Sequence, residues 1–409
     1  MTHLPPLQLK KHHDRRVKSG HPWIYSNEIA TPLKSFQPGE CVNVLSHEGR
    51  PHGTAFVNPH SLITARLYSR TPDTLLDEAF FSQKISSALG LRQSLFDRPF
   101  YRLVYGESDG LPGLVIDRFG DHLVLQLNTV AMDQARDTIV SALTKILPEI
   151  QHIFLKNDST IRKQEQLLSE VISIFGAFPE KILMEENGFK FEISPEKGQK
   201  TGWFYDHRMN RARLRDYVRG KRVLDVFSYL GAWAIPAAGY GAKEVVCIDS
   251  SSHSAKGIML NAQLNGVDGK ISVITDDAFD ALKNLQKTGD KFDVIVLDPP
   301  AFAKKQKDVL SGLAAYQRLN TAALKLLNPD GLLVSCSCSM QVSWPDFASM
   351  LHRAGWQNGE GSALQIIERG HQGPDHPVHS AIPETDYLKM AIVTKKLDCH
   401  TPQKARGSQ

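Results

Sequence analysis

The spacing of hydrophobic and polar positions changes along the chain, and each change predicts a different kind of module. Up to about residue 70, short apolar runs are interrupted by glycine and proline, as in HPWIYSNEI and RPHGTAFVNP. Runs of this length with such breaks are typical of strands joined by tight turns. Residues 1–70 are therefore predicted to form a small β-barrel.

A mixed pattern follows in residues 71–190. The segment DTLLDEAFFSQKISSALGLRQSLF has apolar residues at helical spacing,. Strand-like alternation then occurs in YRLVYGES, LPGLVIDRFG and DHLVLQLN, before a helical pattern and one further strand. This succession predicts a central α+β domain.

In residues 191–398, buried strands and helices alternate regularly. Five short apolar runs end in small or acidic residues: KRVLDVFSYLG, AKEVVCIDSS, ISVITDDAF, FDVIVLDPPAF and GLLVSCSCS. Such alternation predicts a C-terminal doubly wound α/β sheet, in which ligands bind at the carboxyl ends of the strands. Residues 399–409 are polar and are expected to form a flexible tail.

Length and composition agree with a soluble protein of several domains. A chain of 409 residues, 41% hydrophobic and 22% charged, can build two or three separate cores,. No apolar tract is long enough to span a bilayer, and the N-terminus lacks the apolar stretch of a secretory signal,. The five cysteines form neither a disulfide framework nor a metal-binding pair,. A reduced protein of the cytosol, without a metal site, is expected.

Positive charge is concentrated in two zones, although the net charge is only +4. Residues 1–70 contain nine Lys and Arg against four acidic residues, and residues 195–222 contain nine against three. Such zones favour a polyanionic partner, because neutralising phosphates releases counterions. A solvated charged face would give the same pattern, and charge alone does not choose between the two.

The first α/β strand ends in a loop suited to a nucleotide-like ligand. Asp225, Phe227 and Gly231 lie where such a ligand would approach, and glycine has no Cβ to block the contact,. Tyr229 replaces the first glycine of a dinucleotide fingerprint, which argues against a pyrophosphate cofactor,. The loop therefore favours a cofactor without phosphates.

The next two strands end in acidic residues. Asp249 closes the second strand, where a carboxylate can accept hydrogen bonds from both ribose hydroxyls,. Asp277 follows the third strand and could accept from an adenine amino group. Each of the two residues could instead cap the helix that follows it.

The fourth and fifth strands bring a carboxylate and thiols to the same edge. Asp298, followed by two prolines, stands on a rigid segment that suits gripping a planar base by its ring edge,. Strand alternation puts Cys336 and Cys338 on one face, so only the point where the strand ends can separate their roles. A buried cysteine is usually inert. Cys338, at the mouth of the strand, is the candidate with a chemical role.

Several segments make the chain resemble a known family along nearly its whole length. They are HPWIYSNEI, GQKTGWFYDHRMNR, LDVFSYLGAW, LDPPAFAKK, SCSCS, and DHPV followed by ETDYLKM. The family is that of the bacterial 23S ribosomal RNA methyltransferases that make 5-methylcytosine. The resemblance implies a PUA domain, a central α+β domain and a class I, Rossmann-like methyltransferase domain. It also implies S-adenosyl-L-methionine as cofactor, 23S ribosomal RNA as partner and a cytoplasmic location, with a homodimer left open.

The resemblance further implies roles for single residues. Cys338 would add to cytosine C6, and Asp298 would contact the base. The cofactor pocket would be lined by Asp225, Phe227, Ser228, Gly231, Asp249, Ser250, Asp277 and Asp298. Substrate contacts would come from Arg208, Pro299, Pro300, Phe302 and His376, although surface or capping roles stay open for Arg208 and His376. The chain departs from the family pattern at Ala232 and Trp233, where relatives often have Gly and Phe, and at Cys336.

Two other functions remain compatible with these residues. An exocyclic-amine methyltransferase, acting on guanine N2, would keep the fold and the DPP segment but would need no thiol. A non-catalytic RNA-binding factor for ribosome assembly would also keep the fold. A Cys338→Ala variant separates the first from a cytosine-C5 enzyme, and binding of S-adenosylmethionine separates the second. A nicotinamide oxidoreductase is disfavoured by the missing glycine fingerprint.

Overall fold

The computed structural model describes residues 3–357 and 364–395. The predicted tail, residues 399–409, lies outside the described residues. The chain divides into two compact units. The first consists of Met1–Glu186, Glu192–Asp206 and Gly373–Asp386, and the second of Asn187–Phe191, His207–Gln372 and Tyr387–Gln409.

The first unit begins with a small β module. Its elements are β1 (Pro6–Gln8), α1 (Arg15–Lys18), β2 (Trp23–Tyr25), β3 (Cys41–Leu45), β4 (Pro51–Val57) and β5 (Ile63–Ser69). The strands form one sheet in the order β1-β3-β4-β5-β2. Leu9 and Ile29, which follow the two edge strands, form a bridge. Because this bridge joins the edges, the module agrees with the small β-barrel that the sequence predicts.

The remainder of the first unit contains a second sheet with helices. Its elements are α2 (Glu78–Leu95), β6 (Phe100–Tyr105), β7 (Leu114–Phe119), β8 (His122–Leu127), α3 (Val130–Gln134), α4 (Arg136–Ile146), β9 (His152–Asn157), α5 (Thr160–Gln164), β10 (Glu170–Phe175) and β11 (Ile182–Glu186). The sheet order is β10-β9-β8-β7-β6, and α2 packs against α4 and β6. This is the α+β arrangement expected from the mixed spacing of apolar residues.

The second unit contains the α/β sheet and its helices. Within strand β12 (Phe189–Ile193), the chain passes from the second unit back to the first. The other elements of the second unit are α6 (Arg208–Ala212), β13 (Arg222–Val226), α7 (Ala234–Gly239), β14 (Glu244–Ile248), α8 (Ser252–Leu264), β15 (Ile271–Ile274), α9 (Ala278–Thr288), β16 (Phe292–Leu297), α10 (Val309–Leu324), β17 (Leu327–Ser337), α11 (Trp344–Trp356), β18 (Leu364–Gly370) and β19 (Lys389–Lys395).

The sheet of the second unit confirms the doubly wound α/β prediction. Its order is β15-β14-β13-β16-β17-β19-β18, and the five strands β13–β17 are parallel. β19 is antiparallel to both β17 and β18. This antiparallel pair was not expected from the sequence, because β18 alternates exposed and half-buried residues as an edge strand does,.

Helices cover both faces of this sheet. On one face, Leu224, Val226 and Ile295 belong to a core that also contains buried residues of α9, α10 and α11. On the other, α7 and α8 contact β13, β14 and β15. Buried strands with two covered faces explain the nearly continuous apolar runs of the sequence. In the described part of the chain, every helix is too short or too polar to cross a membrane.

Candidate active site

The sheet of the second unit has its topological switch point between β13 and β16. From β13 the chain moves outward through β14 and β15, and then returns to β16 on the opposite side of β13. The loops that leave the two strands diverge, which opens a crevice where ligands bind in such sheets. Val226 pairs with Leu297 at this edge. The segments that carry Asp225 and Asp298 therefore flank the crevice.

The loop after β13 has an unusual backbone. Phe227 and Tyr229 have φ angles of 67° and 51°, in a left-handed region that costs about 1–3 kcal/mol and is concentrated at functional sites. Gly231 has φ 81°, and a Cβ there would lie 2.9 Å from Cδ1 of Ile235. From the sequence, this glycine was expected to serve the approach of a ligand. The positive φ angle and the close packing on Ile235 already require a glycine at this position.

Asp249 joins two of the loops at the crevice. Its Oδ2 accepts a hydrogen bond from the Tyr229 main-chain N–H at 2.9 Å, and its Oδ1 accepts one from Ser251 at 2.9 Å. A carboxylate can accept about four hydrogen bonds. Asp249 can therefore hold the β13 loop in place and still accept from ribose hydroxyls.

Asp225 is fully buried, and neither oxygen of its carboxyl group receives a hydrogen bond of regular geometry from the described residues. Burial raises the pKa of this carboxyl to about 7; the Ser228 side chain and the Ala234 main chain oppose the shift, and the charges of Asp298 and Asp249 add to it. The nearby Ser228 hydroxyl donates to the main-chain oxygen of Asp225 at 2.7 Å. An ionised carboxylate in such a place is costly unless a cation pairs with it. The loop therefore fits a cofactor that carries positive charge, such as S-adenosylmethionine.

Two predicted cofactor residues lie at the surface. Asp277 is exposed and caps α9, since its Oδ1 accepts from the Phe279 N–H at 2.8 Å. Ser250 is exposed beside Asp249. The capping alternative for Asp277 thus has an observed contact, and the contact with adenine stays a prediction.

The DPP segment is held against the end of β17. The Ala303 N–H donates to Oγ of Ser339 at 3.1 Å, and the ring centroids of Phe302 and Tyr316 lie 4.7 Å apart. Pro299 is buried, whereas Pro300 is exposed. These contacts give the segment the rigidity that the two prolines predict.

The two cysteines of SCSCS occupy different environments. β17 ends at Ser337, so Cys336 lies within the strand and Cys338 beyond it. Cys336 is 1% exposed, and burial raises the pKa of its thiol. Cys338 is half-buried, and its Sγ lies 3.8 Å from the main-chain oxygen of Pro299. The end of the strand therefore separates the two thiols: Sγ of Cys338 lies at the Pro299 main chain, whereas Sγ of Cys336 is buried within 4.8 Å of the ligand atoms of Asp298 and His207.

Asp298 is contacted by two side chains that were not among the predicted site residues. Nε1–H of Trp233 donates to Oδ2 of Asp298 at 2.9 Å, and Nε2 of His207 lies 3.2 Å from Oδ1. The rings of His207 and Trp233 pack edge to face, with centroids 5.3 Å apart. We call His207, Trp233 and Asp298 the Asp298 cluster. His207 was hidden in the segment GQKTGWFYDHRMNR, where the charge of Arg208 is the more conspicuous signal.

The two remaining substrate predictions lie in different units. Arg208 begins α6 in the second unit, and its main-chain oxygen accepts from the Asn187 side chain at 3.0 Å. His376 belongs to the first unit, where it is 1% exposed and its Nδ1 lies 3.0 Å from Oδ1 of Asp375. Both side chains are buried, so a surface role is wrong for either residue. Their contact with substrate stays a prediction.

Comparison with known protein families gives two matches. Residues 7–70 match the model of a PUA-like domain. Residues 163–388 match the model of an S-adenosylmethionine-dependent methyltransferase. The second match covers more than half of the chain and includes the crevice and the Asp298 cluster.

Relatives of similar length support both matches. The chain is 36% identical over 388 residues to the ribosomal RNA large subunit methyltransferase I of Cronobacter sakazakii, covering 94% of this chain and 97% of the relative. It is 35% identical over 390 residues to the protein of that name from Klebsiella pneumoniae, with the same coverage. Among solved structures, a methyltransferase complexed with SAH has TM-score 0.83 at 22% identity, covering 96% of this chain and 100% of that one. A SAM-dependent methyltransferase from Streptococcus mutans gives TM-score 0.81 at 22% identity, again over 96% and 100%.

Proposed function

This chain belongs to the family of S-adenosylmethionine-dependent methyltransferases with a PUA-like domain that includes the ribosomal RNA large subunit methyltransferases I, and we propose that it forms 5-methylcytosine in 23S ribosomal RNA. The reaction proceeds through a covalent bond between Cys338 and the target cytosine. Asp298 holds the edge of the base.

The observation that carries this proposal is the position of the Cys338 thiol. Its Sγ lies 3.8 Å from the Pro299 main-chain oxygen, next to the residue that would grip the base. The main-chain oxygen of the adjacent Ser339 accepts from Nζ of Lys389 at 2.8 Å, and this lysine is itself buried. Cysteine acts as a nucleophile in its thiolate form. The neighbouring Cys336 is less accessible, because it lies within β17 and is 1% exposed.

Cytosine C5 is a weak nucleophile, and the thiolate compensates for this. When the Cys338 sulfur bonds to C6, the electron pair of the C5–C6 double bond moves to C5, which can then attack a methyl group. S-adenosylmethionine supplies that methyl group on a sulfonium sulfur. Loss of the C5 proton to a base then restores the double bond and expels the Cys338 thiolate. Asp298 would accept a hydrogen bond from the base edge throughout these steps.

The RNA must present the base outside its stack. Turning a base out of structured RNA costs a few kcal/mol, about what several phosphate contacts can supply. The PUA-like domain and the basic residues 195–222 are the proposed phosphate-binding regions. The substrate implies a cytoplasmic enzyme. A homodimer is the assembly to test, by sedimentation of the purified chain.

A trapped adduct tests the proposal directly. RNA that contains 5-fluorocytidine lacks the C5 proton whose loss releases the enzyme, so wild-type protein should form a stable protein–RNA complex after methyl transfer. Cys338→Ala should form none and should lose methyl transfer. Cys336→Ala, which removes a thiol two residues away, is the matched control and should still be trapped.

Two outcomes would support the rival functions instead. A Cys338→Ala enzyme that methylates RNA at a wild-type rate would contradict the adduct and favour an exocyclic amine as the target. Calorimetry with tight RNA binding but no binding of S-adenosylmethionine would favour an assembly factor. Mass-spectrometric mapping of ribosomal RNA from cells without the protein identifies the nucleotide, and a missing 5-methylcytosine in 23S RNA is the expected result.

A further inference from the structure

The side chain of His207 is buried but directed at the proposed catalytic carboxylate. It is 3% exposed, and its Nε2 lies 3.2 Å from Oδ1 of Asp298. The contact is close but does not have the geometry of a regular hydrogen bond, and Nε2 has no other partner among the described residues. Contacts between catalytic groups are often poorly aligned before substrate binds and straighten afterwards. Leaving a buried polar atom unsatisfied costs free energy, and a contact that straightens on substrate binding would recover it.

The neighbourhood of His207 determines which ring nitrogen carries the proton. Nδ2 of Asn210 lies 3.1 Å from the main-chain oxygen of His371 and 3.2 Å from Nδ1 of His207. A main-chain oxygen can only accept, so the Asn210 atom facing it is the amide nitrogen, a donor. Nδ1 of His207 must then be the acceptor, and the proton resides on Nε2. That proton faces Asp298.

A second donor faces the other oxygen of the same carboxylate. Nε1–H of Trp233 reaches Oδ2 of Asp298 at 2.9 Å, and its ring packs against the ring of His207. The Trp233 hydrogen bond fixes Oδ2, and the His207 contact would fix Oδ1 as well once it straightens, so that together they would define the plane of the carboxylate,. A carboxylate accepts about four hydrogen bonds, and the proposed contact with the amino group of a base is one of them.

We propose that His207 is a positioning residue, which, together with Trp233, orients the Asp298 carboxylate toward the target base. This inference rests on the proposed function only in that Asp298 contacts the base. Small errors of position in a reacting geometry reduce rates about 100-fold. His207 is expected to act on the rate of methyl transfer and to have little effect on cofactor binding.

A transition-metal site is the alternative use of these side chains. Ligand atoms of His207, Asp298 and Cys336 all lie within 4.8 Å of one another. A metal needs the Nε2 lone pair, however, whereas the Asn210 donor places a proton on that atom. The hydrogen-bonded arrangement is therefore the one that the geometry favours.

Paired substitutions of His207 test the proposal. His207→Phe keeps a ring that can pack against Trp233 but removes Nε2–H, whereas His207→Gln retains an N–H that can reach Asp298. In single-turnover methyl transfer to ribosomal RNA, His207→Phe should be about 10- to 100-fold slower, and His207→Gln should recover most of the loss. The Kd for S-adenosylmethionine should change less than threefold in both variants.

A double-mutant cycle separates positioning from a structural role. If His207 acts through Asp298, His207→Phe should slow an Asp298→Asn enzyme by less than twofold, since the carboxylate to be oriented is already gone. An equal slowing in both backgrounds, or a wild-type rate for His207→Phe, would overturn the proposal. If His207→Phe fails to fold, Trp233→Phe replaces it in the same cycle, with the same expectation.

Two further measurements separate failure of this proposal from failure of the proposed function. Total methyl incorporation measures the effect of His207 whatever the product, whereas nucleoside mass spectrometry tests whether the product is 5-methylcytosine. A different nucleoside would refute the proposed function and leave the effect of His207 measurable. One equivalent of zinc in the purified protein, absent from His207→Phe, would overturn the positioning role in favour of a metal site.

Discussion

Replacing Asp225 by Asn should stabilise the cofactor-free enzyme, and more so as the pH rises. Asp225 is fully buried, and burial raises its pKa from 3.8 to about 7. The unfolded chain therefore releases this proton near pH 4, whereas the folded protein keeps it until about pH 7. Because the folded state binds more protons between these values, its stability decreases as the pH increases through this window.

The size of the effect follows from the shift. Each pKa unit corresponds to about 1.4 kcal/mol, so a rise from 3.8 to about 7 costs the folded enzyme about 4 kcal/mol above pH 7,. Part of this cost is already present at pH 5. Between pH 5 and pH 8, the stability of Asp225→Asn relative to wild type should increase by about 2.5 kcal/mol, because other titrations are common to both proteins and cancel.

Urea unfolding of both proteins at pH 5, 6, 7 and 8, without cofactor, measures this difference. Asp268→Asn, an exposed carboxylate of the same unit, controls for the loss of one charge. A stability difference between Asp225→Asn and wild type that stays constant with pH would refute the reasoning. So would a difference that decreases with pH, since it would mean that the folded protein prefers the ionised group.

Two further predictions concern the segment after the DPP step. Gly312→Ala places a Cβ 2.8 Å from Cβ of Ala303, and should destabilise the protein by about 1–3 kcal/mol through overpacking while slowing methyl transfer. The control is Gly269→Ala, whose Cβ meets nothing within 4 Å and which should change neither stability nor the rate of methyl transfer. Thermal melts and activity assays measure both variants, and equal effects of the two substitutions would contradict the steric argument. Replacing the three exposed lysines of this segment by Ala should reduce the salt dependence of RNA binding, by about 0.7–0.9 in log–log slope for each phosphate that is no longer neutralised. An unchanged slope would mean that these residues, Lys304, Lys305 and Lys307, do not bind phosphates.

Much of the fold was predictable because its signals are local. The β13–β17 strands are short apolar runs, and such runs arise wherever both faces of a parallel strand are covered. The small and acidic residues that follow each run then mark the edge of the sheet where a ligand is expected, since the carboxyl ends of parallel strands meet there. The antiparallel β18–β19 pair was missed, because an edge strand with alternating exposure has a weaker pattern than a buried one,.

The residues of the candidate site also differ in whether the sequence alone could reveal them. Asp298 and the two cysteines could be recognised because each stands in a short, unusual segment at a strand end. His207 could not, since its neighbour Arg208 carries the charge that suggests RNA binding, and nothing local connects His207 with Asp298 ninety-one positions later. Asp249 was predicted as a ribose ligand, but its bond to the Tyr229 main chain depends on a loop conformation with positive φ.

By itself, the amino-acid sequence determined the fold class and the strand ends that carry the candidate nucleophile and the candidate base-binding carboxylate, because strand periodicity and short motifs act over a few residues. Only the tertiary structure decided that β17 ends between Cys336 and Cys338, that Asp225 is sealed from water, and that His207 and Trp233 both face Asp298. These properties depend on the distance and burial of groups far apart along the chain. Such groups come together only through tertiary packing, and a local sequence pattern does not predict that packing.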